Sequence, residues 1–434
     1  MGLFKPYSNE SVESWYQHTK THVKQYPKFY GEKNYDAVVL GGGNTGLTSA
    51  IHLAQAGFKV ALLEQNQIGW GASGRSGGQF ITGFSCSLSK MINLVGKDNA
   101  KKLFYLSVEA NLLLESLIKQ HNIDCNFVKG YYHAAVKKSH LKDFAETLNI
   151  QKDFGYDNGS YIIKKDKVNH HIATNQYIGL LNDPDSGHIH PLNLVLGLSH
   201  IAEKLKVDIY ENSQVTAFSM DKKKVLLKVN GGEVKAKYFI LAGNAYLKGL
   251  SPKIENRTMP VGTYIATTQQ LSPKLAKSLI PDNSAVADSN FVLDYFRRTH
   301  DNRMLYGGRV SYSLVAPSNI KQSIYHRMVK TFPQLAGKQI DFSWGGYVSI
   351  TMNRAPYFGR IGNNVFFATG FSGHGVSLTL LAGKLIAEAI KGSEERFSLF
   401  EHIPHLPFPG GRLLRMPALV LGMSYYRLMD WLDR

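Results

Sequence analysis

The residues of this chain best placed to do chemistry are glycines that follow a strand. Gly41, Gly43 and Gly46 stand in the spacing Gly-x-Gly-x-x-Gly, and Glu64 comes 21 residues after Gly43. That arrangement suits a dinucleotide. The first glycine allows a tight turn, and the second lets the backbone approach a pyrophosphate. The third lets a helix pack closely on its strand, with the helix N-terminus facing the anion. A carboxylate at the end of the next strand accepts hydrogen bonds from a ribose diol and disfavours a 2′-phosphate. Context gives the pattern its weight. Ala37-Val38-Val39-Leu40 reads as a short buried strand. Leu47, Ala50, Ile51 and Ala54 fall at helical spacing, Gly57 ends that helix, and Val60-Ala61-Leu62-Leu63 reads as a second strand.

Two further stretches carry the same grammar. Gly69-Trp70-Gly71-Ala72-Ser73-Gly74-Arg75-Ser76-Gly77-Gly78-Gln79 begins five residues after Glu64. It offers backbone amides, hydroxyls and one guanidinium to a diphosphate. Ala368-Thr369-Gly370-Phe371-Ser372-Gly373-His374-Gly375-Val376 follows the strand-like Val365-Phe366-Phe367. It precedes an apolar face made by Leu378, Leu381, Ala382, Leu385, Ile386 and Ala389. A turn of this kind aims the positive end of a helix at a ligand. A flavin there would have the negative charge of its reduced ring stabilised, with His374 the titratable side chain on hand.

These loops need a frame to hold them. The chain has 434 residues, 44% of them hydrophobic, which allows about three domains and a core that needs no staples. Its two cysteines, Cys86 and Cys125, exclude a disulfide scaffold and a cysteine zinc site, so no metal is expected. The net charge of +17 is spread in short groups such as Lys137-Lys138 and Lys164-Lys165. A generally basic surface explains it better than a nucleic-acid interface, and no nucleic-acid partner is expected. No apolar run reaches the roughly 18 residues of a membrane-spanning helix, and the start lacks the apolar segment of a secretory signal. A cytoplasmic protein is expected. Ala100 to Ile123 and Leu192 to Leu205 read as helices, Phe127 to Val136 as a strand, and Asp183-Pro184-Asp185-Ser186-Gly187 as a turn. Strands follow near 207–210 and 215–218, and Gly231-Gly232 sits between two strands as a hairpin signal. The dinucleotide pieces are therefore interrupted. The expected division is a leader over 1–33, a dinucleotide-binding domain from 34–90, 182–256 and 341–400, a second domain from 91–181 and 257–340, and a tail helix over 401–434.

With these motifs in place the chain resembles the D-amino-acid-oxidase-like family of FAD-dependent oxidoreductases. The Gly41–Gly46 fingerprint with Glu64 and the Gly71–Gln79 loop carry the resemblance. So do Pro184-Asp185-Ser186-Gly187 with Pro191, Leu241-Ala242-Gly243-Asn244, Trp344-Gly345-Gly346, and Gly370 to Gly375. They span roughly residues 35–395. The resemblance implies an α/β fold: a Rossmann-like FAD-binding domain of glutathione-reductase type with an inserted α+β substrate domain built on an antiparallel sheet. It implies FAD as cofactor and oxidation of an amine carbon–nitrogen bond by hydride transfer. The expected substrate is gamma-glutamylputrescine or a related amine or amino acid, with oxygen or another acceptor taking the electrons. Residue by residue, Gly41, Gly43, Asn44, Thr45 and Gly46 match the pyrophosphate loop, and Glu64 with Gln65 the adenosine ribose. Ala72, Ser73, Arg75, Ser76, Gly78 and Gln79 match the second FAD loop. Val215, Ala242 and Gly243 match the adenine wall. Gly370, Phe371, Ser372, Gly373, His374, Gly375 and Val376 match the loop around the ribityl chain and ring, with His374 as the candidate catalytic residue. Some relatives tether the flavin through a cysteine near the C-terminal motif. This chain has none beyond Cys125, so noncovalent FAD is expected.

The substrate walls are expected from 257–347, a stretch rich in aromatics including Phe291, Phe296, Tyr306 and Tyr347. Tyr264, Tyr295, Arg309 and Trp344 are the candidate substrate residues, and Arg297, Arg298 and Arg309 could pair with a carboxylate remote from the reacting amine. The competing expectation is ordinary core for the aromatics and a solvated strand edge for the arginines. Residues 404–434 combine prolines, arginines and a short apolar run. They suit either a helix docked on the protein itself or an interfacial helix on an anionic membrane. In the second case the protein is a peripheral membrane dehydrogenase of an amino acid or similar substrate that passes electrons to quinone.

Overall fold

A computed structural model describes residues 13–221, 223–247, 249–290, 292–311 and 319–409, with the side chains of 309–311 outside the description. Two sheets organise it. The first has a parallel core in the order Asp208–Tyr210, Val60–Leu63, Gly31–Leu40, Gly232–Leu241, Val365–Thr369. Antiparallel Tyr357–Ile361 flanks it, and Val225–Val229 with Val215–Met220 extend from Gly232–Leu241. Apolar side chains fill both faces of the central strands, as a parallel sheet covered on both sides requires. Leu47, Ile51 and Leu194 lie in one buried cluster; Val38, Phe239 and Phe367 lie in the other.

Register decides where the chemistry sits. Leu40 pairs with both Leu63 and Leu241, and Leu241 pairs with Phe367. The residues that follow, Gly41, Glu64 and Ala242, therefore emerge together at the carboxyl edge, where open α/β sheets bind ligands. Gly41 takes φ +107°, and a side chain there would meet the Ala242 carbonyl oxygen at 2.8 Å. At Gly46 a Cβ would lie 1.9 Å from the Gly41 carbonyl oxygen. Only glycine lets the helix Asn44–Gln55 start this close to its strand.

The second sheet runs Ile340–Ile350, Met259–Thr268, Met304–Ser311, Tyr295–Arg298, Ala285–Asp288, Val128–Ala135, Gly179–His188, Gln79–Phe80, with Tyr161–Lys164 beside Gly179–His188. Its pairs are antiparallel except Ala285–Asp288 with Val128–Ala135. One face packs on Ile324 and Met328 of the helix Ile320–Thr331 and on Leu279. The α/β architecture with an antiparallel-sheet second layer is as the sequence implies.

Several expectations change in detail. Residues 79–80, 182–188 and 341–350 join the second sheet, so the divisions placed at 182 and 341 fall inside strands rather than at linkers. The helix Lys97–His121 packs its Phe104 and Leu114 into the core beneath the first sheet. Asp183 to Gly187 is not a turn. It lies within the strand Gly179–His188, where the register against Val128–Ala135 shifts between Lys129 and Tyr131. The leader is not merely irregular. Trp15–His18 forms a single helical turn with Trp15 and Tyr16 buried, and the first strand already begins at Gly31. Residues 410–434, most of the expected tail helix, lie outside the described residues.

Candidate cofactor site

A cavity of about 400 Å³ opens at the carboxyl edge of the parallel strands. Six stretches of chain converge on it. Gly41, Gly43, Asn44 and Thr45 line it from the first turn, and Glu64 and Gln65 from the end of the next strand. Ala72, Ser73 and Ser76 come from the second loop, Val215 from the outer strands, Ala242 and Gly243 from the third turn, and Phe371, Ser372, Gly373, Gly375 and Val376 from the last. The structure thus brings together residues up to 339 positions apart, from Leu40 to Thr379.

The polar groups are specific. Asn44 N–H donates to Ser73 Oγ at 3.1 Å, joining the first and second loops. Glu64 accepts from Gly42 N–H at 2.6 Å and from Asn66 N–H at 2.8 Å. Burial raises the Glu64 carboxyl above its ordinary value, and these amides act against that rise. Asn44 Oδ1 and Asn66 Oδ1 are both buried on the cavity with no hydrogen-bond partner. An unpaired buried acceptor is costly, so two of them on one cavity point to a ligand that donates hydrogen bonds. Ribose and flavin polar groups answer that description.

Other expected residues sit elsewhere. Gly46, Gly78 and Gly370 do not line the cavity; they let neighbouring segments pass close by. Arg75 is buried with its guanidinium 4.1 Å from the Trp70 ring centroid, and its Nη1 donates to Gly345 O at 3.5 Å. It braces the loop rather than facing the cavity. Gln79 donates from Nε2 to Val286 O at 3.2 Å, which fastens it to the second sheet. His374 lies between two lining glycines without lining the cavity itself. Burial pushes its imidazole down to about 3, with His133 and Arg354 nearby adding to the effect. Burial likewise lowers His133 to about 4.

Of the candidate substrate residues whose side chains are described, Tyr264, Tyr295 and Trp344, none lines this cavity. Tyr264 is buried in the core of the second sheet, because its strand turns that side chain inward. Trp344 donates from Nε1 to Arg75 O at 2.9 Å and stacks edge-on with Tyr16. Tyr295 packs its ring over Gly77 and Gly307. Arg309 pairs with Tyr264 across the sheet, and its side chain lies outside the described residues, as does Phe291. Phe296 and Tyr306 stack in the core with centroids 5.4 Å apart. Arg297 is committed to backbone carbonyls: Nε donates to Gly77 O at 2.9 Å and Nη2 to Ile189 O at 3.0 Å. A group so bound is not available to a substrate carboxylate.

Several lining residues escape a reading of motifs. Asn66, Ser213, Tyr246, Ser349 and Thr379 all face the cavity. Tyr246 follows shortly after Leu241-Ala242-Gly243-Asn244, and Ser349 after Trp344-Gly345-Gly346, so both lay within reach of stretches already singled out. Asn66 and Ser213 carry no local signal.

Comparison with known proteins agrees with this geometry. The family model described as "DAO: FAD dependent oxidoreductase" matches residues 36–389. The chain belongs to the DAO family of FAD-dependent oxidoreductases. It is 40% identical to gamma-glutamylputrescine oxidoreductase of Escherichia coli K12, over 97% of this chain and 99% of that protein. It is 37% identical to probable oxidoreductase OrdL of Haemophilus influenzae, over 97% and 98%. Among solved structures, glycine oxidase from Bacillus cereus superposes with a TM-score of 0.70 at 22% identity, over 85% of this chain and 98% of that one. As a DAO-family enzyme the protein uses FAD.

Proposed function

We propose that this DAO-family enzyme oxidises the carbon–nitrogen bond of an amine, with gamma-glutamylputrescine or a closely related amine as substrate. The observation that carries the reading is the 40% identity to gamma-glutamylputrescine oxidoreductase along 97% of the chain, joined to a cavity with two unpaired amide oxygens. The first sheet and its helices would form the cofactor domain, and the second sheet the substrate domain. Gly41 to Thr45 and the helix N-terminus behind them would hold the pyrophosphate. Glu64 and Gln65 would take the adenosine ribose, and Val215, Ala242 and Gly243 the adenine. Ala72, Ser73 and Ser76 would close over the diphosphate, and Gly370 to Val376 would follow the ribityl chain and ring.

When bound, FAD supplies a two-electron acceptor for hydride. The chain's part is placement. The substrate nitrogen must be neutral to assist hydride loss from its carbon, and water then hydrolyses the resulting imine. His374 and His133, both held neutral by burial, would let a neutral amine sit beside them without charge repulsion. Arg354 would brace the last glycine-rich loop from behind. Its Nε donates to Ser85 Oγ at 3.1 Å, and Ser85 Oγ donates to the carbonyl oxygen of the lining residue Ser372 at 2.8 Å. Its backbone is held at φ +64°, a conformation that side-chain-bearing residues adopt mainly where structure demands it. The electrons then pass to oxygen or another acceptor. Among the described residues no helix is long and apolar enough to cross a membrane, and the membrane reading of 404–434 rests on the sequence alone.

Anaerobic mixing of the flavin-loaded protein with an amine panel tests this. Gamma-glutamylputrescine should bleach the flavin band, with putrescine and free alpha-amino acids much slower. Fast bleaching by an alpha-amino acid and none by the gamma-glutamyl amine would overturn the reading. Readmitting air then shows whether oxygen is the acceptor.

A further inference from the structure

The N-terminal segment packs behind the second glycine-rich loop from outside both sheets. Trp15 and Tyr16 are 1% and 0% exposed, as deeply buried as the core. Trp15 Nε1 donates to Asp301 Oδ2 at 3.1 Å. The Tyr16 hydroxyl accepts from Arg297 Nη2 at 3.2 Å, and the same guanidinium holds the carbonyl of Gly77. The Tyr16 ring also meets Trp344 edge-on at 5.2 Å, and Trp344 holds the carbonyl of Arg75. Tyr16 thus backs both side chains that grip the 75–77 end of the second loop. A residual space of about 10 Å³ between Ser14 and Gln17 on one side and Gly69, Gly74 and Arg75 on the other shows how directly the segment lies on that loop.

The rest of the segment is tied down by polar groups that belong to the site. His190 accepts from Asn193 N–H on Nδ1, so its Nε2 carries the proton and donates to Thr19 Oγ1 at 3.0 Å. Tyr26 N–H donates to Glu211 Oε2 at 3.1 Å, while Oε1 of the same buried carboxylate takes Ile68 N–H at 2.8 Å. Phe29 N–H donates to Oγ of the cavity-lining Ser213 at 2.9 Å. Surface decoration would not bury an aromatic pair and bond a series of site-supporting groups. Burial of a polar loop-bracing cation such as Arg297 also needs every available acceptor, and Tyr16 is one of them.

We propose that the N-terminal segment is a cofactor-retaining strap in which Tyr16, by holding Arg297 against Gly77 and backing Trp344, positions the second FAD loop. Tyr16 is a positioning residue, since it does not line the cavity. The role depends on the FAD site, and its test reads FAD binding rather than turnover. The Tyr16→Phe variant of the full chain keeps the ring and removes one hydrogen bond to a charged group. Apoprotein is titrated with FAD, following flavin fluorescence, and the melting temperatures of apo and loaded forms are measured beside the parent. The expected result is an FAD Kd raised about five-fold or more and a loss of melting temperature that is larger in the FAD-loaded form than in the apo form. An unchanged Kd, or equal losses of stability in apo and loaded forms, would show a purely structural contact and overturn the proposal. Should Tyr16→Phe not purify folded, Thr19→Val loosens the same segment by removing the Thr19 hydroxyl's bonds to His190 and to the Trp15 carbonyl. It goes through the same titration, and a raised or an unchanged Kd decides in the same way. Failure of the whole site assignment would look different, because the parent itself would not bind FAD.

Discussion

The backbone amide of Asn44 donates to the side-chain oxygen of Ser73 at 3.1 Å, so the first two glycine-rich loops are fastened to each other. Ser73 keeps its own hydroxyl proton to donate, and Asn44 keeps a buried, unpaired Oδ1 on the same cavity. Ser73→Ala should leave the amide of Asn44 unpaired and weaken FAD binding by roughly five- to ten-fold, the cost of one or two lost hydrogen bonds. Equilibrium titration of the apoprotein measures it, and an unchanged affinity would remove Ser73 from the site.

Glu64 offers a sharper contrast. Its two oxygens hold the amides of Gly42 and Asn66, and so shape the turns that follow two neighbouring parallel strands. Glu64→Gln keeps the shape but has only one carbonyl oxygen for two donors, whereas Glu64→Ala abandons both. FAD affinity should therefore fall in the order parent, Glu64→Gln, Glu64→Ala. The first step should be at least about ten-fold, as expected for bonds to a charged acceptor worth roughly 1.5–3 kcal/mol. Equal affinities for Gln and Ala would mean that charge alone matters and that turn geometry does not.

These two predictions rest on residues that local sequence rules locate well. A strand, a glycine turn and a helix occupy consecutive positions, so Gly41 to Gly46 and Glu64 reveal their places without knowledge of the rest. Long-range partners do not. Arg297 reads in sequence as a substrate arginine, yet Gly77, Ile189 and Tyr16 claim it. Trp344 reads as a pocket wall, yet it braces Arg75. Asp183 to Gly187 has the composition of a turn. In the structure Asp183 accepts from the amide of Asp185 at 3.1 Å and from Asn158 Nδ2 at 3.3 Å, which carries the strand through its irregular register. For Arg297 and Trp344 a side chain answers to a segment far away in sequence, and periodicity holds no record of such partners.

His374 is predicted to act without titrating. Its imidazole is lowered to about 3, so it stays neutral across the range in which an amine oxidase is assayed. His374→Asn should reduce kcat/KM by about ten-fold, as for loss of one well-placed hydrogen bond. It should leave the acidic limb of the pH profile where it was, since that limb belongs to the substrate ammonium. A pH series from about 5.5 to 9, spanning the ordinary histidine range, on both proteins decides the point. If the parent shows a limb near pH 6.5 that vanishes in the variant, His374 does titrate and the neutral role fails.

The same burial sets how the fold responds to acid. His133 is lowered to about 4, and His188, His190 and His374 to about 3, burial being the largest cause each time. An unfolded histidine titrates near pH 6.5. Between that value and the folded ones, the unfolded chain binds more protons than the folded chain. The stability these neutral imidazoles contribute is thus fully present above pH 6.5 and is lost as pH falls toward 3–4, at up to about 1.4 kcal/mol per pH unit for each. Asp288 works against them. Burial and its neighbour Asp294 raise it to about 7, so its contribution is full below the ordinary carboxylate range and is lost as pH rises through 7. With His52 and His405 also lowered to about 4 by burial, six histidines against this one far-shifted carboxylate predict a melting temperature that falls from about pH 6.5 to pH 5, and falls more steeply in Asp288→Asn, where the opposing group is gone. Far-UV circular dichroism melts of both proteins at half-unit steps test this. A melting temperature that is flat or rising toward about pH 5, or a variant with a shallower slope than the parent, would show that these imidazoles do not govern acid stability.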